Sequence, residues 1–261
     1  MPELPEVEIV RTNIDRSCSG RAIRSVEIID DGVLEGCTME ELASFCLGRT
    51  IIGARRHGKQ MFIELDRGRC VTVHLGMTGD LIFNAERESL NKYDRVLFDF
   101  KDGSRIVYRD MRKFGAIGLA ASVADFIRMK RLGPDALEVG RHEFIARIGK
   151  HDRAIKTVLL DQKVIAGIGN LYADEILFQS RIHPMRSAMG LSAKEAGAIQ
   201  KNTRKVLLAS VRVSSDFDRL PKGFMLPLRE LGASCPRGNG RLTSVKVNGR
   251  TTFFCPSCQT E

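Results

Sequence analysis

The hydrophobic pattern of the 261-residue chain changes near residue 125, and this change limits the possible folds more than any other feature. Before it, short segments alternate or are rich in β-branched residues, as is typical of strands. They lie at 22–29, 50–56, 61–65, 71–75, 96–100, 106–108 and 117–119. After it, apolar residues recur at helical spacing in 142–149, 153–161, 172–180 and 192–213. Strands followed by helices, rather than alternating with them, predict an α+β fold.

The first part predicts a β-sandwich with a leading helix. Val7, Val10 and Ile14 share one helical face, and many short strands with turn signals between them are typical of a sandwich or barrel. We therefore expect an N-terminal β-sandwich domain over 1–124, a helical domain over 125–227 and a small β-hairpin unit over 228–261.

The charge balance favours a polyanionic partner. The chain has 41 Lys and Arg against 32 Asp and Glu, a formal net charge of +9, and nucleic acid is the first candidate. No apolar run approaches the ~20 residues that a membrane span needs, and the acidic start does not resemble a signal peptide. We expect a cytoplasmic protein without a membrane partner.

The N-terminal residues offer an amine nucleophile. Removal of Met1 would leave Pro2 as a free secondary amine, with the carboxylates of Glu3 and Glu6 beside it. An α-amino group has a pKa of roughly 7.7–8.0, so part of it is unprotonated at neutral pH and can form an iminium with a sugar aldehyde carbon. The residues equally allow Pro2 to be a stiff helix-starting residue.

Segment 160–175 is predicted to be either a loop that binds phosphate or a simple turn between two helices. Gly167 and Gly169 allow close backbone approach, and the following amides and Asn170 are donors suited to phosphate oxygens. Lys156 and Lys163 lie nearby and add positive charge.

Three further loops carry candidate binding residues. Lys59 follows Gly58 on a cationic bend that is either a solvated turn or a phosphate-gripping loop. Met77 and Phe114 follow predicted strands, where they are either core residues or wedges that enter a base stack. Arg112 beside them could occupy the space of an extruded base.

The C-terminal cysteines predict a metal site with one ligand missing. Cys235, Cys255 and Cys258 have zinc-finger spacing, but Gly238 stands where a fourth thiolate belongs. Either a three-thiolate zinc site or a metal-free hairpin satisfies the sequence. Arg250 lies next to the predicted hairpin turn, where it either contacts a phosphate or is simply solvated. The remaining cysteines are expected to be small buried side chains in a reducing compartment.

Taken together, these motifs resemble the formamidopyrimidine-DNA glycosylase family of base-excision repair enzymes. The resemblance spans essentially the whole chain. It rests on PELPEVE at 2–8, RRxGK at 55–59, HLGMTG at 74–79, DxRxFG at 110–115, LLDQxxxAGIGNxYxDExLFxxxIHP at 159–184 and RxTxFCxxCQ at 250–259. The start of the chain resembles the 8-oxoguanine-directed branch rather than the endonuclease VIII branch.

The resemblance implies a mechanism. Pro2 would attack the deoxyribose C1′ of a damaged purine nucleotide, Glu3 would act as general acid/base with support from Glu6, and β,δ-elimination would cut the strand. Lys59 would assist at the base and adjoining phosphate, and Arg250 would bind phosphate and assist δ-elimination. The implied DNA-contacting residues are Met77, Tyr93, Arg112, Phe114, Lys156 and Asn170.

The resemblance also implies a helix-two-turns-helix domain, a lesion-capping loop over 214–226 and a C-terminal zinc finger. One Zn²⁺ and no organic cofactor are expected, although Gly238 departs from the family's Cys. The implied partner is duplex DNA with oxidised or abasic lesions, the protein is expected to be a monomer, and a bacterial member would be nucleoid-associated.

Three other functions fit parts of this pattern. The same chemistry could act on oxidised pyrimidines, or the chain could be a non-catalytic binder of damaged DNA or an RNA-binding helix-two-turns-helix protein. Pro2 and Glu3 argue against both non-catalytic functions, because a pure binder does not need them.

Overall fold

A computed structural model describes residues 2–84, 90–238 and 240–260. The chain divides into two compact units, the first comprising Pro2 and Glu6–Arg131, the second Glu3–Pro5 and everything from Leu132 onward. Met1 lies outside the described residues, so its removal stays a prediction. The three-domain division at 124/125 and 227/228 also stays a prediction.

The first unit is built from two sheets with α-helices around them. Its elements are α1 (Leu4–Cys18), β1 (Ile23–Ile28), β2 (Leu34–Glu35), α2 (Met39–Cys46), β3 (Ile51–His57), β4 (Gln60–Leu65), β5 (Cys70–His74), β6 (Gly79–Asn84), β7 (Asp94–Phe100), β8 (Arg105–Asp110), β9 (Ala116–Ala120) and α3 (Val123–Met129). One sheet is antiparallel in the order β1-β7-β8-β6. The other has the order β2-β9-β5-β4-β3, in which the short β2–β9 pair is parallel and the other pairs are antiparallel.

Both sheets and α1 contribute to one hydrophobic core. Ile14 of α1, Met61 of β4 and Phe98 of β7 are all buried in it. The predicted α+β class, with its N-terminal β-sandwich and leading helix, is therefore confirmed. The sequence did not predict β2, β6 or α3.

The second unit is helical and ends in a hairpin. Its elements are α4 (Arg141–Ile148), α5 (Ile155–Leu160), α6 (Asn170–Ser180), α7 (Ala193–Arg212), β10 (Thr243–Val247) and β11 (Arg250–Phe254), with short 3-10 helices at Phe217–Arg219 and Leu226–Leu228. A capping box between Ser192 and Glu195 starts α7, as such a pair is expected to do. The predicted helical region and the C-terminal hairpin are both confirmed.

The Gln162 side chain fixes the two turns between α5 and α6. Its Oε1 accepts a hydrogen bond from the Gly167 N–H at 2.8 Å, and its Nε2 donates to the carbonyls of Leu160 at 3.0 Å and Ile168 at 2.9 Å. One amide side chain thus forms hydrogen bonds with three backbone groups. These bonds hold the two turns in shape without a regular helix or strand. Asn170 thereby starts α6 at a defined place.

The hairpin packs on the C-terminal half of α6 through a small separate core. Phe178 of α6 lies there with Met225, Leu242 and two cysteines, Cys235 and Cys255. Within the three described ranges, no helix is both long and apolar enough to cross a membrane.

Candidate functional site

The carboxylate of Glu3 lies at the N-terminus of α6. It accepts hydrogen bonds from the backbone N–H groups of Leu171 at 2.9 Å and Tyr172 at 3.4 Å, and the residue is 1% exposed. Unpaired amides and the helix dipole make this position favourable for a negative charge. The sequence predicted that these amides bind phosphate, whereas in the structure two of them donate to Glu3.

Two glycines make room for the N-terminal segment. A Cβ at Gly169 would lie 2.1 Å from Cδ of Glu3, and a Cβ at Gly167 would lie 2.5 Å from Cδ1 of Leu4. The Leu4 N–H also donates to the Gly167 carbonyl at 3.2 Å. The Gly-Ile-Gly turn thus accommodates Glu3 and Leu4, and Pro2, which directly precedes them, is half-buried. Glu6 is half-buried in the first turn of α1.

Lys59 lies in the tight turn between β3 and β4. Gly58 has a φ of 60°, the left-handed conformation that glycine adopts without strain. The Lys59 side chain is half-buried. The backbone carbonyl oxygen of Lys59 is 3.3 Å from Nδ1 of His74 on β5. Burial lowers the pKa of His74 below its ordinary value.

The loops that carry Met77 and Phe114 touch each other. A Cβ at Gly76 would lie 2.3 Å from the carbonyl carbon of Phe114, so only glycine allows this approach. Asp110 ties the two loops together by accepting from Thr78 Oγ1 at 2.5 Å, from the Arg112 N–H at 3.1 Å and from the Gly115 N–H at 2.9 Å. Burial raises the pKa of Asp110, but these hydrogen bonds outweigh it and hold the pKa below its usual range.

The structure therefore brings together the three predicted wedge residues. Met77 is 37% and Phe114 58% exposed, and the Arg112 guanidinium lies 4.8 Å from the centre of the Phe114 ring. An exposed apolar cluster with a stacked cation is suited to contact with unpaired bases. Tyr93 is half-buried, and the Lys92 ammonium lies 4.9 Å from its ring centre.

Asn170 and Arg250 are connected through the hairpin. The Asn170 Nδ2 donates to the Thr251 carbonyl at 3.2 Å, and its buried Oδ1 has no partner within the described part of the chain. Arg250 is exposed and begins β11 directly after the turn at Asn248 and Gly249, both of which have positive φ. The predicted hairpin turn is thus where the sequence indicated.

Lys156 is fully buried. Its ammonium donates to Asp174 Oδ1 at 2.6 Å and to Thr252 Oγ1 at 2.7 Å. Burial lowers the pKa of Lys156, while the Asp174 carboxylate opposes that shift. In this conformation the ammonium joins α5, α6 and β11, so a direct contact with a DNA phosphate would require its release.

Asp174, the centre of this network, was not predicted from the sequence. Asp174 Oδ2 also accepts from Arg229 Nη2 at 2.7 Å and from the Phe253 N–H at 3.0 Å. The Arg229 guanidinium stacks 4.6 Å from the centre of the Phe253 ring. The sequence does contain a signal for this network. Asp174 and Glu175 are acidic residues in an otherwise apolar stretch of α6, and buried charges require partners.

The comparisons with known proteins cover nearly the whole chain. Residues 1–117 match the model of the formamidopyrimidine-DNA glycosylase N-terminal domain, and residues 132–219 match that of the formamidopyrimidine-DNA glycosylase H2TH domain. A formamidopyrimidine-DNA glycosylase of Carboxydothermus hydrogenoformans is 34% identical over 99% of this chain and 100% of its own length. One from Arabidopsis thaliana is 33% identical over 99% of this chain and 71% of its own length.

The chain belongs to the formamidopyrimidine-DNA glycosylase family. The formamidopyrimidine-DNA glycosylase of Lactococcus lactis, solved non-covalently bound to DNA with an AP site, is 28% identical with a TM-score of 0.90 over 100% of both chains. A point mutant of that enzyme, 29% identical with the same TM-score, was solved with DNA containing Fapy-dG.

The cysteine cluster of this family member fits three corners of a metal site. The Sγ atoms of Cys235, Cys255 and Cys258 all lie within 4.8 Å of one another, and those of Cys235 and Cys258 are 3.6 Å apart. A tetrahedral zinc with Zn–S bonds of ~2.3 Å needs sulfur atoms about 3.8 Å apart. Burial raises the pKa of Cys255 to about 11, so this thiol is protonated at neutral pH in the absence of a metal. Binding of a metal cation would displace that proton.

The fourth corner has no protein ligand at the expected position. Gly238 has a φ of 74°, a conformation that a cysteine rarely adopts, and a Cβ there would meet nothing within 4 Å. The donor set therefore suits a thiophilic metal held by three residues of this chain, with one position for an external ligand.

Proposed function

We propose that the chain excises oxidised purines, such as 8-oxoguanine and formamidopyrimidines, from duplex DNA. It then cleaves the abasic strand by β,δ-elimination through a Schiff base on Pro2. Family membership already makes it a DNA-repair glycosylase with DNA as its partner. The proposal adds the purine substrate, the lyase step and the residues.

The observation that carries the proposal is the position of Glu3. Its buried carboxylate is held by two amides at the start of α6, and Pro2 is its covalent neighbour. A carboxylate fixed in this way can accept and return a proton at a defined atom. Glu3 therefore supports chemistry at the position of the Pro2 amine.

Each step of the chemistry has a proposed residue. After removal of Met1, the Pro2 nitrogen forms a bond to the deoxyribose C1′ while the bond from C1′ to the base breaks and the base leaves with a proton. Ring opening then gives an iminium, whose electron-withdrawing character allows loss of the C2′ proton and departure of the 3′ phosphate. The 5′ phosphate then leaves in a second elimination of the same kind.

Four other residues are proposed to assist these steps. Glu3 exchanges protons with the sugar, with support from Glu6. Lys59 acts at the base and its adjoining phosphate, and Arg250 binds phosphate during the second elimination.

The exposed cluster of Met77, Arg112 and Phe114 is proposed to fill the gap that the extruded nucleotide leaves. Its exposure and its rigid support by Asp110 favour this role. Asn170 is proposed to contact the phosphates of the flipped nucleotide, and Tyr93 is proposed to make a further contact with DNA. We propose that Lys156 positions β11, and thus Arg250, while its direct contact with phosphate stays a prediction.

Cys235, Cys255 and Cys258 are proposed to hold one Zn²⁺, which would stabilise the hairpin. The three thiols belong to the small core that holds the hairpin against Phe178 of α6, and the metal is therefore proposed to have a structural role.

Single-turnover excision on matched duplexes tests the proposal. Duplexes with 8-oxoguanine, a formamidopyrimidine or thymine glycol are compared, using protein from which Met1 has been removed. We expect fast excision and strand cleavage on the two purine lesions, with the Glu3→Gln variant slower by about 10²-fold or more. Glu27→Gln, on an exposed residue of β1, is the matched control.

Faster cleavage of thymine glycol would overturn the purine assignment. Binding of all three duplexes without any cleavage would overturn the enzymatic proposal as a whole.

A further inference from the structure

A basic pocket lies in the second unit, between the C-terminal half of α7 and the segment that follows it. Its volume is about 440 Å³, within the range of small-ligand sites. Four cationic side chains line it, Lys205, Arg212, Lys222 and Arg237. Among the described residues that line it there is no carboxylate. The pocket therefore concentrates positive charge.

None of these four cations forms an ion pair within the ranges that the structure describes. Lys205 donates to a neutral acceptor, Oε1 of Gln179, at 3.2 Å, and its ammonium also lies 5.5 Å from the centre of the Phe224 ring. Like charges gathered around a concave surface raise the local positive potential and attract an anion.

Arg237 supplies a donor without an acceptor. Its guanidinium lies 4.2 Å from the centre of the Phe178 ring, and its Nη2 donates to the Gln179 carbonyl at 3.3 Å. Its Nη1 is buried and has no hydrogen-bond partner in the described part of the chain. Because buried donors almost always have a partner, this unpaired nitrogen leaves the positive charge of Arg237 poorly compensated beside the pocket.

The carboxylate of Glu175, whose pKa burial raises and the charge of Arg237 lowers, is used by other hydrogen-bond donors. Its oxygens accept from the N–H groups of Met225 at 2.7 Å and Leu226 at 2.8 Å, and from Gln179 Nε2 at 2.8 Å. Burial raises the pKa of Glu175 to about 7, although these hydrogen bonds and the charge of Arg237 act against the shift. At neutral pH the positive charge of Arg237 is therefore only partly compensated.

We propose that this pocket binds a phosphate group, carried by a free nucleotide or by the backbone of a nucleic acid. Phosphate offers several charged oxygens to two guanidinium and two ammonium groups, a match that a single carboxylate lacks. The site goes beyond the excision reaction, because the chemistry proposed above uses none of its four cations and only Lys222 lies in the 214–226 segment that the resemblance implies to be a lesion-capping loop.

Chemical-shift titration tests the proposal without any lesion. Isotope-labelled full-length protein is titrated at fixed ionic strength with inorganic phosphate, with dGMP and with an undamaged duplex. We expect saturable shifts of the backbone amides of Lys205, Arg212, Lys222 and Gly223. A Lys205→Gln/Arg212→Gln variant should bind about tenfold more weakly, equivalent to about 1.4 kcal/mol.

The matched control is Lys201→Gln/Arg204→Gln, which removes the same charge from exposed positions of α7 outside the pocket lining. Saturation by phosphate and dGMP identifies a small ligand, and saturation by the duplex alone identifies the DNA backbone, provided that the Lys205→Gln/Arg212→Gln variant loses it; saturation that this variant keeps would overturn the site. Absence of saturable shifts with all three probes would overturn it, as would an equal loss in the control pair. Because no probe carries a lesion, these results are independent of whether excision occurs.

Discussion

At the scale of single residues, the candidate site depends on where Glu3 is held. The carboxylate bonds to two amides of α6, and Gly169 leaves no space for any larger side chain beside it. The glycine is therefore required by the packing of Glu3, the proposed acid/base residue, as well as by the turn.

Gly169→Ala is expected to displace the Glu3 carboxylate, because the added Cβ would lie 2.1 Å from its Cδ. Loss of a positioned acid/base group should slow single-turnover excision by about 10²-fold or more. Gly140→Ala is the matched control, since a Cβ at Gly140 meets nothing within 4 Å and its φ is −68°. An unchanged rate in Gly169→Ala would contradict the proposed role of Glu3.

Glu175 is expected to make stability depend on pH. Its pKa in the folded protein is about 7, above the ordinary value of 4.5, so the folded state binds more protons than the unfolded state between these values. The free energy of unfolding should therefore fall as pH rises through this window, by up to about 3 kcal/mol at ~1.4 kcal/mol per pKa unit.

Urea unfolding at several pH values checks this expectation. The Glu175→Gln variant should lose most of the fall, whereas Glu138→Gln, at an exposed position, should retain it. Equal pH dependence in wild type and Glu175→Gln would show that another group is responsible.

At the scale of elements, a buried ion network holds β11 against α6. Asp174 is fully buried and pairs with both Lys156 and Arg229 while accepting from the Phe253 N–H. Removing one member of a buried network leaves charge without a partner, whereas exposed pairs contribute little.

Asp174→Asn is expected to destabilise the second unit by about 3–5 kcal/mol. It should also weaken hydrogen-exchange protection in β10 and β11, because the Phe253 amide and two cations lose a charged acceptor. Glu143→Gln removes an exposed partner of Arg147 and should cost less than about 1 kcal/mol. Similar losses in both variants would contradict the network's special role.

Native mass spectrometry tests the three-thiolate metal site. We expect one zinc per chain, which Cys258→Ser should release because only two thiolates would remain. Cys37→Ser, in the first unit, should keep the metal. A purified wild-type protein that takes up no zinc would contradict the site.

The sequence was most informative where local signals agree with the final packing. Helix α7 has its capping box and its apolar spacing, and the hairpin has Asn248-Gly249. Strand β6 was missed because it starts at Gly79 within a sequence typical of a turn. Helix α3 has a cap, since Ser122 accepts from the Asp125 N–H at 3.0 Å, but it is too short to show periodicity.

The buried position of Lys156 could not be predicted from local sequence. A lysine in a short basic segment is typically exposed, and only the distant residues Asp174 and Thr252 make its burial favourable. Contacts of this kind depend on the tertiary fold, and local periodicity carries no information about them.

At the scale of the whole molecule, the net charge of +9 and the residues proposed to act on DNA in each unit fit one proposed substrate, a polyanion with an extruded nucleotide. The first unit supplies Lys59 and the Met77–Arg112–Phe114 cluster. The second supplies Glu3, Asn170 and Arg250.

Borohydride trapping on a duplex with 8-oxoguanine tests this central claim most directly. Borohydride reduces the iminium to a stable amine and leaves the protein covalently attached to the DNA. We predict one adduct, mapped by peptide mass spectrometry to Pro2, that disappears when an N-terminal extension blocks the amine. No adduct from protein that has lost Met1, or an adduct mapped to a lysine, would contradict the account.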